Sequence, residues 1–286
     1  VDGRPPPRYD LHRRGGAVPR FSANLTLLFT EVPFLDRFEA AARAGFRAVE
    51  FVSPYDHAPE VLAALLERHG LEVSVFNLPA GDWVKGDRGL ACDPRRAAEF
   101  REGLPRAAAY ARALRCPRVH LMAGIVPAGP SREAAEAAWL GSVRLAARAL
   151  GPEGITVLLE AINDRDMPGY LLTSSRAALA AIEALEAEGL SNVRFQYDAY
   201  HLHVLGEDLL AVLDRAYPRV GHVQIADAPG RHEPGTGEID LAGLLARLDA
   251  LGWAGFVGCE YRPRAGTAEG LGWMAPYRAA GAVHRR

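Results

Sequence analysis

Short runs of β-branched, aromatic and aliphatic residues alternate along this chain with longer Ala/Leu/Arg/Glu-rich stretches whose apolar positions recur at helical spacing. Such alternation marks parallel strands joined by crossover helices, and it repeats eight times. It predicts strands over 20–25, 48–52, 72–76, 118–122, 156–160, 193–198, 221–225 and 256–260. Each is followed by a helical stretch, among them 34–44, 59–69, 94–114, 132–150, 174–187 and 241–251. Gly45, Gly70, Gly189 and Gly252 fall just past helix ends, where a left-handed residue closes the last turn. Thr173 or Ser174 is placed to cap a helix start.

With the first 18 residues set aside, each unit has about 33 residues, the size expected of an α/β chain closed into a single-domain (β/α)8 TIM barrel. An open doubly wound sheet is the competing architecture. Neither G-x-G-x-x-G nor G-x-x-x-x-G-K-[ST] follows any strand, so the phosphate cradle that often marks such sheets is missing. Residues 19–286 read as the barrel domain. Residues 1–18, polar and carrying three consecutive prolines, read as a flexible N-terminal arm or a remnant of expression. The longest irregular pieces, 79–93, 161–172 and 226–239, all follow strands and would rim the C-terminal mouth where barrel active sites sit.

Composition narrows the partners. With 35 acidic and 33 basic residues, a net charge of -2, there is no global field to gather phosphate backbones or acidic membranes. The expected partner is a small molecule, with nucleic acid and membrane excluded and homo-oligomerisation left open. Three cysteines without a C-x-x-C pair fit a reducing, cytoplasmic setting. No apolar run approaches the roughly 20 residues of a membrane helix, and the N-terminus reads as neither signal peptide nor anchor.

The candidate chemistry lies at the ends of strands 5 to 8, in T-V-L-L-E160, R-F-Q-Y-D198, H-V-Q224 and F-V-G-C-E260. Their spacings of 38, 26 and 36 residues average one βα unit, which places Glu160, Asp198, Gln224 and Glu260 at one height on neighbouring strands. With strands roughly 4.8 Å apart, inward-pointing ends converge across a barrel mouth. Three converging carboxylates repel one another and drift upward in pKa unless a cation neutralises them. A divalent metal held by these four residues is the simplest resolution, and an all-oxygen set favours Mg²⁺ or Mn²⁺ over Zn²⁺. The plainer alternative is that strand-end acids cap loops and stay solvated.

Other polar residues gather near this set. His201 follows Asp198 by three residues in D-A-Y-H and is a candidate donor to a substrate oxygen. His222, one layer deeper than Gln224, reads as a bonded core histidine. The loop after strand 7 carries Gly230, Gly235 and Gly237, which would let its backbone turn over a ligand, and Arg231, a candidate clamp for a polyoxygenated substrate. Lys85, the one lysine in the chain, sits with Trp83 in the loop after strand 3 and is a candidate carboxylate-binding residue.

At these residues the sequence resembles the hydroxypyruvate isomerases of the xylose-isomerase-like sugar isomerase/epimerase superfamily. The carriers are R-F-S-A-N-L (20–25), G-F-R-A-V-E-F (45–51), N-L-P-A-G-D-W (77–83), L-L-E-A-I-N (158–163), Q-Y-D-A-Y-H (196–201), G-H-V-Q-I-A-D (221–227), E-P-G-T-G-E-I (233–239) and G-C-E-Y (258–261). The resemblance implies a divalent metal on Glu160, Asp198, Gln224 and Glu260, with Glu160 and Glu260 also the acid/base pair. It further implies that His201 and Arg231 touch substrate oxygens. Arg262 stands where a related lysine is expected. The implied reaction interconverts hydroxypyruvate and tartronate semialdehyde through an enediolate. Isomerisation or epimerisation of another small keto sugar or sugar acid, such as a 2-oxo-tetronate, would use the same site. A metal-dependent abasic-site endonuclease of the same fold is less favoured, because it calls for a His-rich, multi-metal mouth and a basic DNA groove.

Overall fold

The computed structural model describes residues 19–277; the N-terminal arm of the sequence reading lies outside them. Eight strands pair in parallel, each with its sequence neighbours, and the first closes on the last. They are β1 (Arg20–Asn24), β2 (Ala48–Phe51), β3 (Glu72–Asn77), β4 (Arg118–His120), β5 (Thr156–Glu160), β6 (Val193–Asp198), β7 (Val220–Ile225) and β8 (Phe256–Cys259). The predicted (β/α)8 barrel is therefore the fold. The surrounding helices are α1 (Arg37–Arg43), α2 (Pro59–His69), α3 (Ala97–Ala113), α4 (Arg132–Leu150), α5 (Ser175–Ala187), α6 (Ala199–Val204), α7 (Leu209–Ala216) and α8 (Leu241–Ala250). Among the described residues, no helix is long and apolar enough to cross a membrane.

The strands are buried on both faces, and the two faces have different chemistry. Phe21, Val49, Val157, Leu159, Phe195, Val223 and Val257 join the apolar core that packs strands against helices. Their alternates Ser22, Glu50, His120, Glu160, Gln196, His222 and Gln224 are equally buried but polar. Strand pleating sends these two sets to opposite faces. A bond between Glu50 on β2 and His222 on β7, strands that are not neighbours, shows that the polar set spans the barrel interior.

The glycine punctuation holds: Gly70, for example, closes α2 in the left-handed conformation at φ 63°. The predicted cap of α5 differs. Ser174 occupies the capping position, but its side chain makes no capping bond. Glu207 instead accepts the Ser175 amide at 2.8 Å and also the Ser175 hydroxyl. A carboxylate from a neighbouring unit thus meets the helix's positive end.

Candidate active site

The mouth of the barrel opens on a cavity of about 170 Å³. Glu160, Gln224, Glu260, His201 and Arg231 line it, with His120, Gln196, Asn24, Trp83 and Arg262. In the strand register Glu160 stands beside Gln196, Asp198 beside Gln224, and Gln224 beside Gly258. Asp198 and Glu260 each lie two residues further along the chain than the partner of the preceding site residue. The stagger that closes a barrel has this effect, and it puts Gln196 between Glu160 and Gln224. The Gln196 amide nitrogen donates to Glu160 Oε2 at 2.8 Å and to Gln224 Oε1 at 2.7 Å.

Asp198 combines two readings of a strand-end acid. One oxygen caps α6, accepting the amides of Tyr200 at 2.8 Å and His201 at 3.4 Å. The other faces Arg231 Nη2 at 3.2 Å. The same guanidinium nitrogen stands 3.3 Å from Glu260 Oε1, and the group stacks over the Tyr200 ring. Arg231 reaches this position from a left-handed backbone, φ 57°, uncommon for a residue with a side chain.

The loop carrying Arg231 is organised from below. Buried Asp227 accepts the amides of Ala228, Gly235, Gly237 and Ile239, all within 3.0 Å. A Cβ on Gly237 would lie 2.0 Å from the Ala228 carbonyl. At Gly237 the glycine lets the loop fold onto Asp227, a nearer cause than approach to a ligand.

Charge is out of balance here. Two buried carboxylates and the partly buried Glu260 face one guanidinium, so desolvation and mutual repulsion dominate their titration. Burial, then the charges of Asp198 and Glu260, hold Glu160 well above the usual carboxylate range. Burial raises Asp198 against the opposing pull of Arg231 and two amides. Burial likewise lifts Glu260 to about 8, with Arg231 countering and Asp198 adding. The histidines supply no compensating charge. Burial and then Arg231 depress His201 well below its ordinary value, and burial and His222 push His120 down to about 3. With all three ionised, Arg231 by itself leaves two negative charges uncompensated. Glu160, Asp198 and His201 also offer ligand atoms within 4.8 Å of one another, and His120 Nε2 and Gln196 Oε1 are buried with no hydrogen-bond partner. This donor set fits a divalent cation.

His201 is the weaker ligand of that trio. Its Nδ1 lies 3.3 Å from the Asn163 amide and 2.7 Å from the Asn163 side-chain nitrogen. The orientation of Asn163 is fixed because its Oδ1 accepts the Asp166 amide at 2.8 Å. Two donors aimed at Nδ1 leave the ring proton on Nε2, which faces the site as a donor.

Lys85 is not brought into the cavity lining. It closes a short 3₁₀ turn begun by Asp82, and its ammonium pairs with that residue at 3.1 Å while the side chain is 82% exposed. Arg262 is the second cation on the lining.

The interior also holds a residue that the sequence reading left without a role. Glu50, 0% exposed, lies within the barrel and accepts from Ser22 at 2.7 Å, Ser74 at 2.9 Å, His222 Nε2 at 2.9 Å and Gln224 Nε2 at 2.8 Å. Burial alone would raise its pKa, but His222 and these hydrogen bonds outweigh it and hold the carboxyl below the usual range. A Cβ at position 258 would lie 2.4 Å from Glu50 Oε1, so only glycine there leaves room for the carboxylate. The available signal was an acid inside the apolar run A-V-E-F.

Comparison with known proteins places the chain among xylose isomerase-like barrels. The family model described as xylose isomerase-like TIM barrel matches residues 38–277. A 2-oxo-tetronate isomerase of Cupriavidus necator is 46% identical over 91% of this chain and 99% of its own. A hydroxypyruvate isomerase of Escherichia coli is 46% identical over the same shares. A crystal structure from Brucella melitensis, described as an AP endonuclease of family 2, superposes with a TM-score of 0.85 at 44% identity, covering 91% of this chain and 99% of that one.

Proposed function

The chain belongs to the xylose isomerase-like TIM barrel family and is an isomerase; from that premise we propose that it interconverts hydroxypyruvate and tartronate semialdehyde through an enediolate. The observation that carries the reading is the mouth itself: two buried carboxylates and the partly buried Glu260 around one guanidinium, with Glu160 and Glu260 both raised in pKa.

Glu160, Asp198, Gln224 and Glu260 would hold the divalent ion, Mg²⁺ or Mn²⁺. Bound there, the ion supplies the two missing charges and a Lewis acid for adjacent carbonyl and hydroxyl oxygens. The residues do the rest. One of Glu160 and Glu260 takes the proton from C3 as its carboxylate, the other protonates C2, and the proton of the C3 hydroxyl passes to the C2 oxygen. His201 Nε2–H donates to a substrate oxygen from a ring locked by Asn163. Arg231, shared between Asp198 and Glu260, holds both carboxylates in place and presents its remaining donors to substrate oxygens. Arg262, on the cavity lining, binds the substrate carboxylate. The narrow cavity suits three or four carbons, and three buried cysteines outside any disulfide suit a reducing cytoplasm.

The name of the C. necator relative supports a second substrate, a 2-oxo-tetronate, handled by the same groups. An NMR time course in D₂O with hydroxypyruvate and a 2-oxo-tetronate at equal concentration separates the two. Faster turnover of hydroxypyruvate with solvent deuterium entering at carbon is expected; turnover of the tetronate alone would reassign the substrate. The name of the B. melitensis structure raises the endonuclease reading, against which stands the chain's near-neutral charge balance.

A further inference from the structure

Gln224 is an amide, and an amide can turn either its oxygen or its nitrogen to a ligand. Two hydrogen bonds choose between them. Gln224 Nε2 donates to Glu50 Oε1 at 2.8 Å, while Gln224 Oε1 accepts from Gln196 Nε2 at 2.7 Å. Gln196 Nε2 also donates to Glu160 Oε2 at 2.8 Å, which fixes that amide in turn. The chain of bonds is anchored at Glu50, a carboxylate at which Ser22, Ser74, His222 and Gln224 all aim donors.

We propose that Glu50 is a positioning residue: it pins the Gln224 amide nitrogen to the barrel floor and so commits the Gln224 oxygen, and through Gln196 the Glu160 carboxylate, to the mouth. The consequence for binding rests on the reading of Gln224 as a metal ligand. Groups behind a ligand that fix its orientation typically change metal affinity by about 10–100-fold when removed.

Two substitutions at position 50 separate orientation from charge. Glu50→Asp keeps the charge but withdraws the carboxylate from Gln224 by about one bond length, roughly 1.5 Å. Glu50→Gln removes the charge but still offers an oxygen to Gln224. Mn²⁺ affinity, followed by electron paramagnetic resonance, is expected to fall about 10–100-fold in Glu50→Asp and only a few-fold in Glu50→Gln. In a Gln224→Leu background, Glu50→Asp should bring no further loss. Equal affinity of Glu50→Asp and the unaltered protein overturns the proposal, as does a loss confined to Glu50→Gln, which would make the effect one of charge. If the unaltered protein binds no Mn²⁺, the metal reading falls first and this role with it.

Should Glu50→Asp fail to fold, neutron diffraction on the unaltered, metal-free protein decides the orientation directly. Deuterons on the Gln224 atom facing Glu50 are expected. An oxygen there overturns the proposal whatever the site binds.

Discussion

Glu50 and Glu160 are both buried glutamates in one barrel, and the protein treats them in opposite ways. Around Glu50, hydroxyls, an imidazole and an amide converge, so the charged form is held and its pKa falls. Around Glu160 and Glu260, the neighbours are other carboxylates, a single shared guanidinium and, at Glu160, one amide from Gln196, so the charged form is disfavoured and the pKa rises. Burial is common to both. Donor count separates a carboxylate that is part of the scaffold from carboxylates left in need of a partner, and it locates the functional end of the barrel.

The largest effect expected from this contrast is on turnover. Glu160→Gln and Glu260→Gln each remove a proton-transfer group and a ligand oxygen while preserving shape. Either should lower kcat by at least about 10²–10⁴-fold, with the far-ultraviolet dichroism of the folded protein retained. Glu50→Gln, an identical change in chemistry at the floor, should cost only a small factor. Comparable losses at floor and mouth would erase the distinction, and retained turnover in either mouth variant would remove that residue from its role.

A second, smaller effect concerns stability without metal. Glu260, raised from 4.5 to about 8, binds a proton in the folded state that the unfolded chain has released, so its contribution fades as pH rises through that window. Glu160 acts in the same direction. Below pH 6.5 the trend is opposed, because buried His120 and His201 stay neutral while their unfolded counterparts, at 6.5, take up protons. Glu50, whose pKa is lowered, contributes at all pH values above the carboxylate range and loses its share only in acid. Between pH 6.5 and 8 the mouth acids therefore act alone, and Glu260 by itself accounts for about 2 kcal/mol. In EDTA the melting temperature should fall by roughly 5 °C across that interval, and saturating Mg²⁺ or Mn²⁺ should abolish the fall. Parallel curves with and without metal would show that no cation occupies the cluster.

The sequence carried the fold well because each βα unit repeats a local pattern, an apolar run followed by helical period and a closing glycine. Strand-end acids were legible for the same reason, since Glu160, Asp198 and Glu260 interrupt apolar runs at unit spacing. Gln196 was not, because its place between Glu160 and Gln224 follows from the stagger between strands, which no single strand encodes. Glu50 was present in an apolar run but meets His222 only when the barrel closes, 172 residues away along the chain. Asp227 likewise shows its role only in the folded loop, where four amides converge on it.

The smallest effect tests a contrast at the rim, between Lys85 and Arg262. Being the chain's one lysine suggested a substrate contact, yet composition says nothing about direction, and a short turn ties the Lys85 ammonium to Asp82, away from the cavity lining. Such an exposed pair contributes little. Lys85→Met should therefore change kcat/KM by less than about twofold and leave the melting temperature within about 1 °C. Arg262→Met, by contrast, removes a cation from the cavity lining and should raise KM for hydroxypyruvate about tenfold with kcat nearly unchanged, the loss of one charge-assisted hydrogen bond. If the two variants exchange these outcomes, the loop after β3 closes over the substrate during turnover and Lys85 regains the role that its rarity suggested.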